Sequence, residues 1–390
     1  MSFLQTLASA FKGGGGARVP LAHGFTSPWA MPLETRPTHD YARDIEEAYV
    51  SNPIAQRAVR IVAEGVGGAP LTIANDRFAK LIGQSGGTQP LLEVLSAQLL
   101  LHGNAYVQVL RDASGTPVEL FPLRPDRVSI EADANGWPCA YRYRVGPREQ
   151  VIPVEDEEGW PQVVHLKSFH PGDDHYGAGC LAAARRAVSI HNAASRWNAA
   201  LLDNAARPSG ALVYDAKDSA GLSTEQFERL KDELAHAFSG DGNAGRPMVL
   251  EGGLSWQSLA LSPADMDFAN LKAAAARDIA LAFGVPPMLL GLPGDNTYAN
   301  YREANRALWR LTLLPLIGRI GAGLAQGLQP WFADAALDVD LDRVPALAED
   351  REKQWARISD ADFLDAEEKR ELLGLAPRKK VAIREDGHEA

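Results

Sequence analysis

Two alanine-rich stretches decide the fold of this chain. Residues 181–206 read LAAARRAVSIHNAASRWNAALLDNAA, and residues 264–283 read ADMDFANLKAAAARDIALAF. Ten of the 26 residues in the first stretch are alanine, which is a strong helix former. Small side chains over most of a helix circumference let neighbouring helices approach closely. The sequence therefore predicts two long helices that are suited to close helix packing.

The segment between the two helices carries a different pattern. It predicts a helix over residues 223–238 and strands at 211–214, 247–250 and 256–261. The order of helix, small α/β insert and helix predicts two struts that carry a tip.

The region before the first alanine-rich helix changes from helical to alternating patterns. Asn52 and Pro53 predict a helix N-terminus, a glycine cluster at 65–68 predicts its end, and Gly103 predicts the end of a second helix over 91–102. Alternation then predicts strands at 104–110, 118–123, 127–131, 141–145 and 163–167. This region is therefore expected to be an α+β unit.

The outer segments of the chain are less regular. Residues 1–40 are rich in Gly and Pro and predict a flexible arm. GLPGDNTYAN at 291–300 predicts a polar loop, and residues 301–332 predict a helix that Pro315 kinks. Residues 337–375 are expected to be helical and acidic, and the charged end from residue 378 is expected to be disordered.

Composition limits the classes of function. The chain has 390 residues, enough for two or three packed units, with 39 Lys and Arg against 50 Asp and Glu and a formal net charge of −11. This balance argues against a broad basic surface that grips nucleic acid. Two cysteines form no disulfide framework, and neither a signal peptide nor a membrane-spanning segment is expected, so we expect a soluble intracellular protein.

One cluster has the residue types of a metal site. His165, His170, His175 and Cys180 are spaced five apart in HLKSFHPGDDHYGAGC, and zinc uses such ligands. A metal-dependent hydrolase is therefore one alternative function. None of these spacings matches an established zinc finger, however, and the Pro and Gly residues between them favour a surface loop. The chain also has no Gly-x-Ser-x-Gly elbow and no HExxH motif, so no catalytic residue is predicted.

Two further groups of polar residues leave alternatives open. Arginines on the first alanine-rich helix face either phosphates or aspartates of the second helix in another subunit. In the 291–300 loop, Asn296, Tyr298 and Asn300 offer hydrogen bonds without positive charge, so they could touch a polyanion without holding it tightly. The alternative for that loop is an ordinary connection between helices.

Several segments together resemble the portal proteins of tailed phages with siphovirus-type heads, including those of gene transfer agents. The resemblance runs from about residue 41 to 316. It is carried by YVSNPIAQRAVRIVAEGVGGAPL (49–71), LLLHGNAYVQVLRD (99–112), ELFPLRPDRV (119–128), VVHLKSFHPGDDHYGAGCLAAARRAV (163–188) and DIALAFGVPPMLLGLPGDNTYANYREANRAL (278–308). These segments in this order are strongly specific for the family.

The resemblance implies an α+β portal fold with an α/β wing, a two-helix stem, a small α/β clip and a helical crown. It divides the chain into an N-terminal arm (1–40), wing (41–180), first stem helix (181–206), clip (207–262), second stem helix (263–284), tunnel loop (285–300), long kinked wing helix (301–336), and crown with C-terminal tail (337–390). The chain is short for a portal, which implies a compact crown.

The resemblance also implies a non-enzymatic function. A ring of about twelve copies would sit at one capsid vertex, in a virion or phage-like particle assembled in the bacterial cytoplasm, and would pass double-stranded DNA. Its partners would be the large terminase, the head-tail adaptor and the major capsid protein, with no membrane, metal or cofactor.

The implied site residues fall into three groups. The DNA-facing tunnel loop comprises Pro293, Gly294, Asp295, Asn296, Thr297, Tyr298 and Asn300. The clip surface for terminase or adaptor comprises Glu225, Glu228, Arg229, Lys231, Asp232, Asp241, Asn243 and Arg246. Contacts between stems of adjacent subunits would involve Arg185, Arg186, Arg196, Asp265, Asp267 and Asp278.

Overall fold

A computed structural model describes residues 41–84, 89–203, 210–214, 223–238, 254–258, 268–292 and 297–375. The predicted arm (1–40), the predicted strand at 247–250, residues 293–296 of the polar loop and the tail from 376 lie outside the described residues.

The first part of the chain is helical. Asn52 caps its longest helix, since its Oδ1 accepts hydrogen bonds from the backbone N–H groups of Ile54 and Ala55 at 3.1 and 2.9 Å. As predicted, the helix ends in the glycine cluster, at Gly67. The helices are α1 (Tyr41–Ile45, followed by a π-helical turn, Glu46–Val50), α2 (Pro53–Gly67), α3 (Asp76–Gln84) and α4 (Leu91–His102).

Two antiparallel three-stranded sheets follow these helices. In the first, β2 is central and pairs with β3 and β7, so that Tyr106 lies opposite both Leu123 and His165. In the second, β5 is central and pairs with β4 and β6. The strands are β2 (Asn104–Arg111), β3 (Pro117–Leu123), β4 (Val128–Ala132), β5 (Pro138–Val145), β6 (Arg148–Pro153) and β7 (Val163–Lys167). Five of these strands were predicted, and β6 was not.

The two alanine-rich stretches form the predicted helices, and these two helices pack extensively against each other. These are α5 (Cys180–Asp203) and α7 (Phe268–Ala282). Between them lie β8 (Gly210–Tyr214), α6 (Thr224–Phe238) and β9 (Leu254–Ser258). The strands β8 and β9 pair in antiparallel register, so the α/β character of the insert is confirmed in its described parts.

A composite helix then runs from Tyr298 to Gly327. It consists of α8 (Tyr298–Leu308), a π-helical stretch (Trp309–Leu313) and α9 (Leu314–Gly327). The predicted distortion therefore takes the form of a π-helical stretch just before Pro315, which has no N–H to donate to the preceding turn. By length and composition alone the composite helix could cross a membrane, but Ile317, Ile320 and Leu324 are completely buried in the core, which accounts for its apolar character.

The C-terminal part corrects the prediction of a wholly helical segment. It begins with strand β10 (Leu337–Val339), which pairs with β1 (Leu71–Ile73) in antiparallel register. Two 3₁₀ turns then lead to α10 (Ala348–Ser359) and α11 (Ala366–Leu372). Strand β10 is only three residues long, and its partner lies far away in the sequence.

A large apolar core joins the helices to the first sheet, and a second, smaller cluster packs the second sheet against the first. Val62 of α2, Leu95 of α4 and Ile279 of α7 are completely buried in the large core, together with the inner face of α9. Leu181, Ala184 and other residues at the start of α5 belong to the same core. The bases of both alanine-rich helices are therefore anchored in the core of the α+β unit.

Gly103, Gly177 and Gly179 allow the end of α4 and the loop before α5 to approach each other closely. Gly103 ends α4 in the left-handed conformation (φ 78°), as predicted, and its carbonyl accepts a hydrogen bond from Ser168 N–H at 2.8 Å. A Cβ on Gly177 would lie 2.1 Å from the Gly103 carbonyl oxygen, and one on Gly179 would lie 2.7 Å from the Leu101 carbonyl oxygen. Any larger residue at 177 or 179 would therefore displace the backbone that leads into α5.

This contact predicts a strong effect of a single methyl group. Gly177→Ala should lower the free energy of unfolding by about 3 kcal/mol, at the upper end of the usual cost of overpacking. Gly318→Ala is the matched control, because a Cβ there meets nothing within 4 Å and alanine is favoured in a helix. Urea unfolding of the full chain measures both; equal stability of Gly177→Ala and the unchanged protein would contradict the close contact.

Candidate functional site

The paired alanine-rich helices use their small residues where they touch. Ala184, Ala187 and Ala194 of α5 and Ala275 and Ala276 of α7 are buried, and the two helices make extensive contacts. This confirms that the alanines serve close helix packing.

The outer faces of the same helices carry large and charged side chains. Trp197 of α5 is 44% exposed and Leu281 of α7 is 79% exposed. Arg186, Arg196 and Asp278 are also exposed. Each helix therefore buries alanines within the chain, and the exposed side of α5 carries further alanines, such as Ala182, Ala193 and Ala200, beside its large and charged groups.

Arg185 has a partner in its own chain. Its Nη2 lies 2.8 Å from Oδ2 of Asp44 in α1. The predicted partners Asp265 and Asp267 lie outside the described residues, and in the described residues no ion pair joins Asp278 to an arginine of α5. The intrachain pair gives Arg185 a role in fixing α5 to α1.

A buried amide network holds the middle of α5. Nδ2 of Asn52 donates to Oδ1 of Asn192 at 2.8 Å and lies 3.2 Å from Nδ1 of His191, while Nδ2 of Asn192 donates to the Glu47 carbonyl at 2.8 Å. Because Oδ1 of Asn52 caps α2, its Nδ2 must point toward His191, whose Nδ1 must then accept. Burial, and secondarily the charge of Lys272, lowers the pKa of His191, which agrees with a neutral ring.

A second buried asparagine fixes the start of α5. Oδ1 of Asn104 accepts from Gly177 N–H at 2.8 Å and lies 3.1 Å from Nε2 of His165. The His165 ring stacks on Tyr106, with 4.3 Å between centroids, and burial lowers the pKa of His165 to about 3. His165 is therefore a neutral, partly buried residue that donates to Asn104.

The other members of the His and Cys cluster do not join His165 in a metal site. Nδ1 of His170 accepts from Gly172 N–H at 3.1 Å, and Cys180 is the first residue of α5, where burial raises its thiol pKa. The backbone N–H of His175 donates to Asp173. Across the part of the chain that the structure describes, no three His, Cys, Asp or Glu residues are placed to hold a metal ion. The alternative of a metal-dependent hydrolase is not favoured.

The predicted tunnel loop is described at its two ends. In its first part, Pro287–Leu290 form a 3₁₀ turn that ends at Gly291 (φ 72°). In its last part, Oγ1 of Thr297 accepts from Asn300 N–H at 3.2 Å and caps α8. The helix thus begins at Tyr298 rather than at the predicted residue 301, and Tyr298 is 80% exposed on its first turn. Pro293, Gly294, Asp295 and Asn296 lie outside the described residues.

The same helix carries charged residues that sequence reasoning missed. Arg302, Arg306 and Arg310 recur every fourth position and pair with acidic residues of the C-terminal segment, Glu349 and Asp350. The spacing of four residues could have revealed these arginines in the sequence, since it places all three on one helix face.

The predicted clip surface is exposed where it is described. Glu225, Glu228, Arg229, Lys231 and Asp232 of α6 are all exposed. Phe227, on the same helix, is 56% exposed. Asp241, Asn243 and Arg246 lie outside the described residues.

The two alanine-rich helices, the α/β segment between them and their attachment to the α+β unit agree with a comparison against known protein families. A family model described as phage portal protein matches residues 53–374. The chain belongs to the phage portal protein family.

Three relatives illustrate the range of similarity to this portal protein. A protein of Rickettsia felis (strain ATCC VR-1525 / URRWXCal2) is 41% identical over 350 residues, covering 85% of this chain and 88% of the relative. The portal protein of Enterobacteria phage HK97 is 25% identical over 244 residues, covering 62% and 54%. A chain from the neck of a native gene transfer agent particle, computed with C12 symmetry, is 47% identical with a TM-score of 0.67, covering 87% of this chain and 95% of that chain.

The partly buried His165 predicts acid sensitivity of this portal protein. An unfolded histidine binds a proton near pH 6.5, whereas burial holds the pKa of folded His165 at about 3. Its contribution to stability is therefore complete above pH 6.5 and is lost as the pH falls toward 3.

We expect His165→Gln to be less stable than the unchanged chain at pH 7.5 but to lose stability less steeply between pH 6.5 and 4.5. The difference in slope should be on the order of 1 kcal/mol per pH unit, which corresponds to one proton. Urea unfolding at several pH values measures it. Identical slopes would show that His165 is not kept neutral by the fold.

Proposed function

We propose that this chain forms a ring of about twelve copies around a channel for double-stranded DNA, at one vertex of a phage-like particle. The observation that carries this proposal is the 47% identity, over 87% of the chain, to a protein from a particle neck with C12 symmetry. Such a ring serves DNA packaging and later DNA release.

The outer faces of the two stem helices, α5 and α7, support the ring. Leu281 exposes 79% and Leu271 exposes 44% of their surface on α7, while Trp197 exposes 44% on α5. In a ring with a heterologous interface, the face of one stem packs on a different face of the next, and the contact repeats until the ring closes. Burial of these three apolar side chains would favour this assembly.

The charge of those faces fits the same arrangement. Arg186 and Arg196 are exposed on α5, and Asp278 is exposed on α7. Opposite charges on complementary faces guide the register of an interface more than they strengthen it. We propose that Arg186 or Arg196 of one subunit meets Asp278 of its neighbour.

The acidic balance of the chain suits a conduit. Each Lys or Arg that neutralises a phosphate strengthens salt-dependent binding to DNA irrespective of its sequence. A net charge of −11 leaves little general attraction for the duplex. DNA would therefore move through the channel instead of being held by it.

The insert between the stem helices is the proposed docking site for other proteins. Its helix α6 exposes both acidic and basic residues, with Phe227 among them. Such a polar surface with one aromatic side chain resembles interfaces that bind and release partners. The large terminase would bind here during packaging and the head-tail adaptor afterwards, while the wing contacts the major capsid protein.

We assign no catalytic activity to the chain itself. By resemblance to the family, ATP hydrolysis belongs to the terminase. The protein acts in a virion or virus-like particle, after assembly in the bacterial cytoplasm.

The tunnel loop provides a test of the DNA channel. Deletion of residues 293–296 retains Thr297, the N-cap of α8, and should leave folding and ring assembly unchanged. Because the loop would no longer contact the duplex, we expect particles with little DNA protected from nuclease. The control is a variant in which these four residues are replaced by Gly and Ser at the original length, with ring assembly measured on both proteins. Normal packaging by the deletion variant would refute the assignment of the loop.

A further inference from the structure

A row of arginines follows the tunnel loop on the composite helix. Arg302 and Arg310 are 49% and 58% exposed, whereas Arg306 between them is only 14% exposed. Their spacing of four residues places them along one side of α8 and of the π-helical stretch. These three residues form the arginine face of the composite helix.

Carboxylates neutralise the whole arginine face. Glu349 pairs with Arg302 and lies 2.8 Å from Nη2 of Arg306. Asp350 lies 3.4 Å from both Arg306 and Arg310. Glu303 on the same helix lies 2.9 Å from Arg306. Three arginines thus meet three acids, two of which come from the first turn of α10.

Exposed aromatic rings adjoin the arginine face. Tyr298 is 80% exposed, Tyr301 is 51% exposed, and the guanidinium of Arg302 lies 5.5 Å from the centre of the Tyr298 ring. Arginines interleaved with exposed aromatic rings are typical of surfaces that bind nucleic acids. The composition of this helix face therefore fits a phosphodiester backbone, except that its charge is already balanced.

The balancing acids lie near the protein surface, as do the two outer arginines. No residue of α10 is buried, and Glu349 is 45% exposed. Nε of Arg306 and Oδ2 of Asp350 are buried atoms without a hydrogen bond. Glu349 and Asp350 therefore pair with the arginine face near the protein surface. Glu349 also accepts hydrogen bonds from Arg302 and Arg306, whereas Oδ2 of Asp350 pairs without one.

We propose that Glu349 and Asp350 act as resident competitors for DNA phosphate, so that they mask a polyanion-binding face beside the tunnel loop. This inference rests on the proposed function, in which the duplex passes this loop. The mask lets the loop and its tyrosines touch DNA while the adjacent arginines do not retain it. Removal of the carboxylates would convert a neutral face into one that binds phosphate.

The test compares DNA binding by two variants of equal charge. Glu349→Gln with Asp350→Asn frees the arginine face, whereas Glu352→Gln with Asp360→Asn removes two exposed carboxylates that pair with no arginine of that face. Binding of a short fluorescein-labelled DNA duplex to the full chain is measured by anisotropy over a series of potassium chloride concentrations.

We expect the first variant to bind at least about ten-fold more tightly at low salt, with a salt slope steeper by about two, one for each phosphate newly contacted. The second variant should differ from the unchanged chain by less than about two-fold, because distant charges are screened. Addition of Arg302→Gln and Arg306→Gln to the first variant should abolish the gain.

Three results would overturn the proposal. These are no gain in the first variant, an equal gain in the second, or a gain that survives loss of the arginines. If circular dichroism shows that the first variant is unfolded, the single variant Glu349→Gln is tested in its place. It keeps Asp350 and should steepen the salt slope by about one. Ring assembly is measured separately on each protein, so a failure to form rings would count against the proposed function and not against the mask.

Discussion

The structure depends on the backbone contact between Gly103 and Gly177. At that point α4 ends, β2 begins and the loop into α5 crosses so closely that neither position has room for a side chain. Water has no room at this crowded site. Asn104 therefore supplies the hydrogen-bond partner for Gly177 N–H and for His165. The direction of the long helix α5 is thereby set by the sheet and not by a flexible joint. A closed ring demands such rigidity, because an angular error at each subunit would accumulate around the axis.

Electrostatics imposes the second constraint. In the proposed conduit, each arginine that contacts phosphate strengthens the binding of DNA, so pairing an arginine with a carboxylate weakens that attraction. In this chain Arg185 pairs with Asp44, Arg111 pairs with Asp156, and the arginines after the tunnel loop pair with the first turn of α10. These ion pairs therefore have two effects. Each carboxylate fixes an arginine within the fold, and it also weakens the attraction of that arginine for DNA phosphate.

Local rules predicted much of the fold. Alanine content predicted α5 and α7, alternation predicted the hairpin of β2 and β3, and Gly103 predicted the end of α4. Long-range pairing could not be predicted by those rules, because β10 has only three residues and its partner β1 lies far away in the sequence. The His and Cys spacing could not decide between a metal site and a surface loop, because spacing along a sequence does not show direction. In the structure His165 stacks on Tyr106 instead of facing the other members of the cluster. The arginine face was missed because its partners come from a segment that only the fold brings near.

Assembly of the unmodified full chain tests the central claim most directly. Native mass spectrometry at several protein concentrations, with negative-stain images of the same samples, reports the number of subunits and the presence of a central hole. The account predicts closed rings of about twelve subunits, in which the outer faces of α5 and α7 meet. A chain that remains monomeric at every concentration, or that forms open filaments or dimers without a hole, would contradict it.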